Sequence, residues 1–393
     1  MKKRIWKSVA IGIGTTALAA VFILFGKIDV NAATVATNIT QTGGTSSSIK
    51  VEWTGGLDDN QYSVQMSEDQ KNWHEMENTS SNSCYIYSGI SAGKTYYLKV
   101  ITIAKDGTTA ESMPIDVVSA PSTAPANCQW TDSTTSSVTL KWDAVEGANC
   151  YGLEKGSGNN NKETTEGLTY TIKGLSDTFY DYISVSAGRK SSSGYVAWGG
   201  RDNTVYSVKT VPGKVTGIKK NYWHTYNKKT SSLWLDYNKV KNASGYQFKV
   251  YNTKNKLLGT YESTSDWIVI SDLSGRSCAK VKARPYIKIG DKKKYGAWTS
   301  EKWIVPDVYG KYTTISGKIK IDWEKVTGAT GYDIYVKTDR NGLFKKVASV
   351  KGTKTSYVLK KFKGAKISKS KTYYVSVEAK KKVGKKTYKS SSK

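Results

Sequence analysis

The side chains that most often carry out catalysis are scarce in this 393-residue chain. There are two histidines, His74 and His224, and a general base or a catalytic triad would most naturally need one. Both stand in strand-like stretches, and we interpret both as ordinary strand or surface residues. The sequence contains no Cys-x-x-Cys and no His-x-x-x-His pattern, so it predicts no metal site. We therefore predict that the protein is not an enzyme and holds no cofactor.

Cys128 and Cys150 are the one pair of cysteines that falls within a single predicted domain, so a disulfide between them is considered. Cys128 stands where a core residue of a first strand is expected. Cys150 comes directly before Tyr151, which should face the core, so strand alternation turns Cys150 to the other face. A bond between the two thiols remains an alternative, but the spacing favours unpaired side chains.

Lysine dominates the charged residues and gives the chain a net charge of +28. The charge is uneven: residues 34–119 carry −5, residues 120–211 carry −1, residues 212–306 carry +13 and residues 307–393 carry +17. A basic field of this size attracts polyanions without fixing which one. The predicted contact residues are Lys292, Lys293, Lys294, Lys380, Lys381, Lys382, Lys385 and Lys386.

The charge favours an anionic partner, and the resemblance to secreted bacterial proteins given below implies that this partner is an anionic cell-wall polymer or polysaccharide; another surface protein is an alternative. Nucleic acid would also satisfy the charge, because lysine contacts phosphates without sequence preference. The export signal described below argues against nucleic acid. A solubilising surface that discourages strand-edge aggregation explains some of the lysines, but the excess is larger than solubility requires.

Trp198 and Trp298 stand at matching places in the second and third quarters of the chain, in Tyr-Val-Ala-Trp-Gly and Tyr-Gly-Ala-Trp-Thr. A ring presented from a loop could stack on a sugar, which makes both residues candidates for glycan binding. Their repetition at one structural position favours packing over a sheet edge instead.

A short phrase that returns four times sets the spacing of the whole chain. It runs from one aromatic residue to a tyrosine nine positions later, and its starts are 89, 95 and 86 residues apart. Such a period indicates one small domain repeated along the chain. We predict a signal peptide over 1–32 and domains over 33–119, 120–211, 212–306 and 307–393. The predicted core residues are Trp53, Tyr62, Tyr96, Trp142, Tyr151, Tyr237, Tyr246, Trp323, Tyr332 and Tyr373.

Short alternating runs, such as those at 49–53 and 318–323, recur between turn signals every 8–12 residues or so, which is typical of a sandwich. We predict an all-β chain, a tandem array of four immunoglobulin-like β-sandwiches after an N-terminal signal helix. The polar stretch 156–167 predicts a loop. The small, proline-bearing stretch 119–127 predicts a linker with more freedom than the junctions at 211–212 and 305–306.

The repeats resemble fibronectin type III domains. The likeness is carried by the second-strand aromatic, by the third-strand tyrosine, and by a sixth-strand pattern in which alternating apolar residues follow Tyr96 and Tyr373 in the first and fourth repeats. Asp181 and Ala279 replace that tyrosine in the second and third repeats. The string Gly-Ala-Thr-Gly-Tyr, which ends at Tyr332, is similar to repeats in secreted proteins of Gram-positive bacteria. The resemblance implies spacer, adhesion or accessory domains.

The N-terminus has the pattern of a secretory signal. Four basic residues within positions 2–7 precede an uncharged, mostly apolar run over 9–25, and small residues follow at 30–33. We predict cleavage near Ala32 and a secreted or surface-associated protein; an uncleaved membrane helix is the alternative. The favoured function is a non-catalytic array held to the cell envelope by its basic half, with the acidic half facing outward. The alternative is an adhesin or carbohydrate-binding protein that uses exposed aromatics.

Overall fold

The computed structural model describes residues 32–55, 61–156, 162–201, 206–226 and 230–390. The predicted signal peptide lies outside these ranges except for its last residue. Within them every regular element is a β-strand, and no helix is long and apolar enough to cross a membrane. The prediction of an all-β chain of tandem sandwiches is confirmed.

Two compact units can be distinguished by their internal contacts. One holds the described residues up to 42 together with 50–86 and 96–117, and the other holds 43–49, 87–95 and the described residues from 118 onward.

The first repeat forms a three-stranded sheet in the order β1-β2-β5 and a larger sheet in the order β4-β3-β6-β7, in which β8 also pairs with β6. The strands are β1 (Thr37–Gly44), β2 (Ile49–Thr54), β3 (Gln61–Ser67), β4 (His74–Thr79), β5 (Ser83–Ile86), β6 (Thr95–Ile103), β7 (Thr109–Glu111) and β8 (Ile115–Val118).

The second repeat has the same plan, with sheets β13-β10-β9 and β12-β11-β14-β15, and with β16 also on β14. The strands are β9 (Gln129–Ser133), β10 (Val138–Lys141), β11 (Cys150–Lys155), β12 (Glu163–Thr165), β13 (Thr169–Ile172), β14 (Tyr180–Lys190), β15 (Val196–Arg201) and β16 (Tyr206–Lys209).

The third repeat has sheets β17-β18-β21 and β20-β19-β22-β23, and β24 also pairs with β22. The strands are β17 (Thr216–Thr225), β18 (Thr230–Asn238), β19 (Gly245–Tyr251), β20 (Leu257–Ser263), β21 (Trp267–Ser274), β22 (Ala279–Ile289), β23 (Lys292–Tyr295) and β24 (Lys302–Ile304).

The fourth repeat has sheets β25-β26-β29 and β28-β27-β32-β33, and a small ribbon of β30 and β31. The strands are β25 (Gly310–Ile315), β26 (Lys318–Trp323), β27 (Gly331–Lys337), β28 (Lys345–Lys351), β29 (Ser356–Leu359), β30 (Lys361–Phe362), β31 (Ala365–Lys366), β32 (Tyr374–Val383) and β33 (Lys386–Lys389).

Each repeated phrase places two rings against each other between the sheets. The ring centroids are 5.4 Å apart for Trp53 and Tyr62, and the three later pairs lie at 5.5, 4.8 and 5.3 Å. All eight rings are buried. Large rings contribute much of the burial available to so small a core. Tyr96 is also buried, whereas Tyr373 is half-buried and its hydroxyl accepts a hydrogen bond from the Ser368 amide at 3.2 Å.

The tyrosine that ends the phrase has a further role that the sequence did not reveal. In the last three repeats its hydroxyl accepts a hydrogen bond from the backbone amide of the valine six residues earlier. The distances are 3.0 Å for Val145 and Tyr151, 2.7 Å for Val240 and Tyr246, and 2.8 Å for Val326 and Tyr332. The phrase therefore encodes a ring pair and a closed loop together.

Two expectations about irregular segments were wrong. Residues 163–165, expected in a loop, form β12, which pairs with β11 along Tyr151, Gly152 and Leu153. Two threonines suit this edge position. The stretch 119–127 is not a free linker: Ser119, Ala120 and Pro121 are buried, and the chain passes directly over Gly199. Small residues on both sides allow this close approach.

Candidate anion-binding surface

The lysines at 292–294 lie at the tip of a tight hairpin in the third repeat. Strands β22 and β23 pair Ile289 with Lys292, so only Gly290 and Asp291 form the turn. Gly290 has a φ of +55°, as the first turn position of a two-residue hairpin of this kind requires. The second predicted lysine run sits on an equivalent hairpin in the fourth repeat.

That hairpin joins β32 to β33 through Gly384 and Lys385, because Val383 pairs with Lys386. Gly384 has a φ of +56°. The short turn and the strand alternation place Lys382, Lys385 and Lys386 at an exposed tip. The ammonium of Lys386 in the fourth repeat lies near that of Lys302 in the third, and burial together with this like charge lowers the pKa of Lys302.

The structure separates the eight predicted lysines into two groups. Three form ion pairs: Lys293 with Glu262 at 2.5 Å, Lys294 with Asp132 of the second repeat at 2.8 Å, and Lys380 with Asp333 at 2.5 Å. Lys381 lies over the Trp303 ring at 4.8 Å. The exposed remainder, without an ion pair to any described carboxylate, is Lys292, Lys382, Lys385 and Lys386.

A row of cations that sequence reasoning missed crosses the outer face of the larger sheet of the third repeat. Lys249 on β19 is the cross-strand neighbour of Lys282 on β22. Trp298 lies 5.4 Å from the Lys249 Nζ, 5.0 Å from the Lys282 Nζ and 4.5 Å from the Arg284 guanidinium. Contacts of this length are favourable cation–π interactions.

Arg284 is held especially firmly in this row. Its guanidinium lies 3.7 Å from the Tyr295 ring centroid, and its Nε and Nη2 donate to the Gln247 Oε1 at 3.0 and 2.8 Å. Among the described residues no carboxylate forms an ion pair with Lys249, Lys282 or Arg284. The row therefore keeps its positive charge while the rings restrict its side-chain freedom. The alternation of basic residues at 280, 282 and 284 was the sequence signal that could have revealed it.

Trp198 and Trp298 both take part in such contacts. The Lys162 Nζ lies 4.3 Å from the Trp198 ring centroid, and the ring covers Gly152 and Gly188 so closely that a Cβ at either glycine would clash with it. Both tryptophans are half-buried. Their surroundings are those of rings packed onto a sheet face.

Two buried carboxylates lie under the lysines of the fourth repeat. Asp333 on β27 is opposite Glu378 on β32. Burial opposes the charge on Asp333, but hydrogen bonds from Lys380 at 2.5 Å and Ser349 at 2.5 Å hold its pKa below the ordinary value. Glu378 accepts hydrogen bonds from the Tyr335 hydroxyl at 2.8 Å and from Lys389 at 3.2 Å.

The thiols and the remaining reactive groups are dispersed. All four cysteines are unbonded and buried, and burial raises the pKa of Cys278 to about 12 and that of Cys84 to about 11. In the part of the chain that the structure describes, no three His, Cys, Asp or Glu side chains are placed so that they could hold a metal ion. Gly89 to Gly93 has the letters of a nucleophile elbow, but it connects two strands, β5 and β6, rather than a strand and a helix.

Comparison with known proteins gave one kind of match. No family model and no curated protein matched the chain. Among solved structures, the chain is similar to the FN1-FN3 domains of chicken CNTN1, with 14% identity over 70% of this chain and 99% of that chain and a TM-score of 0.30. The sandwich fold rests on the strands described above.

Proposed function

We propose that the protein is a non-catalytic, exported array of fibronectin type III-like sandwiches whose basic repeats bind an anionic polymer of the cell envelope. Residues 212–306 and 307–393 carry +13 and +17, against −5 and −1 for the two repeats before them. A surface of one sign concentrates polyanions and speeds their capture. Export is supported by the N-terminal pattern, and an anionic ligand by the charge.

The observation that carries the proposal is a set of cations that no described carboxylate neutralises. It consists of the exposed hairpin lysines and the row of Lys249, Lys282 and Arg284 on the third repeat. An ammonium acts as a point charge towards phosphate or carboxylate groups. The ring contacts of the row reduce the side-chain entropy, about 2 kcal/mol for a free lysine or arginine, that binding would otherwise cost.

Two triple variants with the same change in net charge test the proposal. One removes the exposed lysines through Lys382→Gln, Lys385→Gln and Lys386→Gln. The other removes the ion-paired lysines through Lys293→Gln, Lys294→Gln and Lys380→Gln. Retention on purified anionic wall polymer is measured for both and for the unchanged chain across a salt series, with melting curves as the folding control.

We expect the exposed triple to lose most of its retention and the paired triple to lose little, because only the exposed ammonium groups are available to the polymer. Retention of the unchanged chain should fall steeply between about 50 and about 200 mM salt. Equal losses in both triples would reduce the effect to net charge alone, and salt-insensitive retention would rule out the electrostatic mechanism.

A carbohydrate-binding function is the second candidate. Trp198 and Trp298 do not favour this function, since both already stack against cations of their own sheets. The rings that favour carbohydrate binding are the exposed ones on the smaller sheet of the third repeat, described below.

A further inference from the structure

Five aromatic side chains form a continuous strip on the outer face of the smaller sheet of the third repeat. Tyr222 and His224 alternate along β17, and Tyr226 directly follows that strand. Trp234 on β18 is the cross-strand neighbour of Tyr222. Trp267 begins β21 opposite Asp236, one diagonal step from Trp234. Residues two apart on a strand share a face, so all five rings lie on one side.

The rings of the strip contact each other within two groups, which strand register places side by side. Trp234 and Trp267 are nearly parallel, at 11° with centroids 5.8 Å apart. Tyr222 stacks on His224 at 5.9 Å, and His224 meets Tyr226 edge-on at 4.3 Å. The Tyr222 hydroxyl and the His224 Nδ1 are 3.2 Å apart, within hydrogen-bond distance. Because the rings stand on or directly beside paired strands and contact each other within each group, they form a fixed platform.

The strip is the most exposed cluster of large rings on the third repeat's strands. The exposed fractions are 51% for Tyr222, 66% for Tyr226, 42% for Trp234 and 48% for Trp267. At roughly 100 Å² for each half-exposed ring, the strip presents on the order of 400 Å². Apolar patches of that size on a monomer are often functional.

A groove adjoins the strip at Trp267. Its volume is about 510 Å³, within the range usual for small-ligand clefts. The groove is lined by the start of β21, including Trp267, and by Glu262, Ser263, Thr264, Ser265 and Tyr286. The groove therefore continues the ring platform into a rim rich in hydroxyl groups.

We propose that this strip binds a neutral polysaccharide chain, with sugar rings stacked on Trp234 and Trp267 and sugar hydroxyls in the adjoining groove. The face of an aromatic ring is electron-rich and attracts the polarised C–H groups on a sugar face. The charged pair beside the strip, Lys219 and Asp236, is 3.8 Å apart and self-compensating. A neutral ligand fits this surface, in contrast to the anionic polymer proposed above.

A linear glycan suits the strip better than a protein does. A stable protein interface buries about 800 Å² on each partner, roughly twice what the strip offers. The face also has little exposed aliphatic surface, since its other central outward residue, Val269, is half-buried. Ring faces beside a hydroxyl-rich groove match a ligand whose own surface alternates C–H faces and hydroxyl rims.

The test uses the full chain and three neutral probes, the hexamers of β-1,4-linked glucose, β-1,4-linked N-acetylglucosamine and β-1,3-linked glucose. Calorimetry is expected to show binding of at least one probe, with little change in Kd between about 50 and about 500 mM salt. Trp234→Ala and Trp267→Ala should each weaken that binding at least about tenfold. Tyr312→Ala, which removes an exposed ring of the fourth repeat, is the control and should leave it unchanged.

Both strip variants remove outward-facing, half-exposed rings, so their melting curves should match that of the unchanged chain. Absence of binding to all three probes would overturn the proposal, as would equal binding by the unchanged chain and the two strip variants. Sedimentation adds a further arm: if Trp234→Ala dissociated a self-associated form while no probe bound, the strip would be a protein interface and the proposal would fall.

Discussion

At the scale of single residues, the tyrosine hydroxyls that close the repeated phrase are the most instructive feature. Tyr332 does more than fill the core beside Trp323, because its hydroxyl accepts the Val326 amide at 2.8 Å inside the protein. Burial raises the pKa of Tyr332 despite this bond, so the hydroxyl stays protonated over the whole physiological range.

Tyr332→Phe keeps the ring and removes that acceptor. The buried Val326 amide would then lack its partner, which should cost about 1–3 kcal/mol in the free energy of unfolding. Denaturant unfolding measures the loss, and hydrogen exchange at the Val326 amide should accelerate to the same degree. Tyr312→Phe, at an exposed ring of the same repeat, should change neither. Unchanged exchange at Val326 in Tyr332→Phe would show that the loop is held by other contacts.

At the scale of strands and sheets, the paired carboxylates of the fourth repeat link charge to folding. Asp333 has a folded pKa below its ordinary value of 3.8. A carboxylate with a depressed folded pKa adds stability above the unfolded pKa, and this contribution is lost as pH falls through the folded value. Its contribution should therefore be complete above about pH 5 and disappear in stages below about pH 4.

Asp333→Asn is expected to lower stability at neutral pH and to flatten its dependence on pH in the acid range. Thermal melting between about pH 2 and about pH 7 measures both effects. The control is Asp339→Asn, at an exposed turn where the new amide oxygen can still accept the Asn341 amide, as Asp339 does at 3.0 Å. An Asp333→Asn variant with an acid limb as steep as that of the unchanged chain would assign the acid sensitivity to other carboxylates.

The same scale shows why the sequence predicted the fold better than the site. The ring pairs and the alternation of apolar and polar residues within strands are local signals that recur four times. They could therefore be recognised without knowing which distant residues pack against them. Whether Lys294 is exposed depends on Asp132, which another repeat supplies. Strand register brings Lys249 and Lys282 to the ring of Trp298, whereas Trp234 stays exposed. Composition cannot rank residues whose exposure is decided by partners distant in sequence.

At the scale of the whole molecule, the third and fourth repeats are joined by contacts typical of a core. Cys278 falls within the predicted range 212–306, yet it packs with the buried residues of the fourth repeat around Trp323. Its amide donates to the Thr327 carbonyl at 2.9 Å. The Arg276 guanidinium lies 4.2 Å from the Tyr309 ring centroid and pairs with Glu324. These contacts predict that the two repeats unfold together.

Lys220 offers a way to test that coupling. Its buried ammonium donates to Asp307 at 2.5 Å and to the Val305 carbonyl at 3.2 Å, across the junction of the two repeats. Lys220→Ala removes this bridge and leaves the Asp307 carboxylate without its buried cation, whereas Lys219→Ala removes a neighbouring lysine whose side chain is 70% exposed.

Calorimetry of the full chain should show one transition for the two repeats in the unchanged chain and in Lys219→Ala. In Lys220→Ala that transition should separate or broaden, and thiol labelling of buried Cys278 should accelerate, because labelling requires the junction to open. Separate transitions in the unchanged chain, or equal labelling rates in both lysine variants, would mean that the repeats fold independently. In that case the basic surface would span a flexible joint, and the exposed lysines of the fourth repeat would bind polymer without help from the cation row of the third.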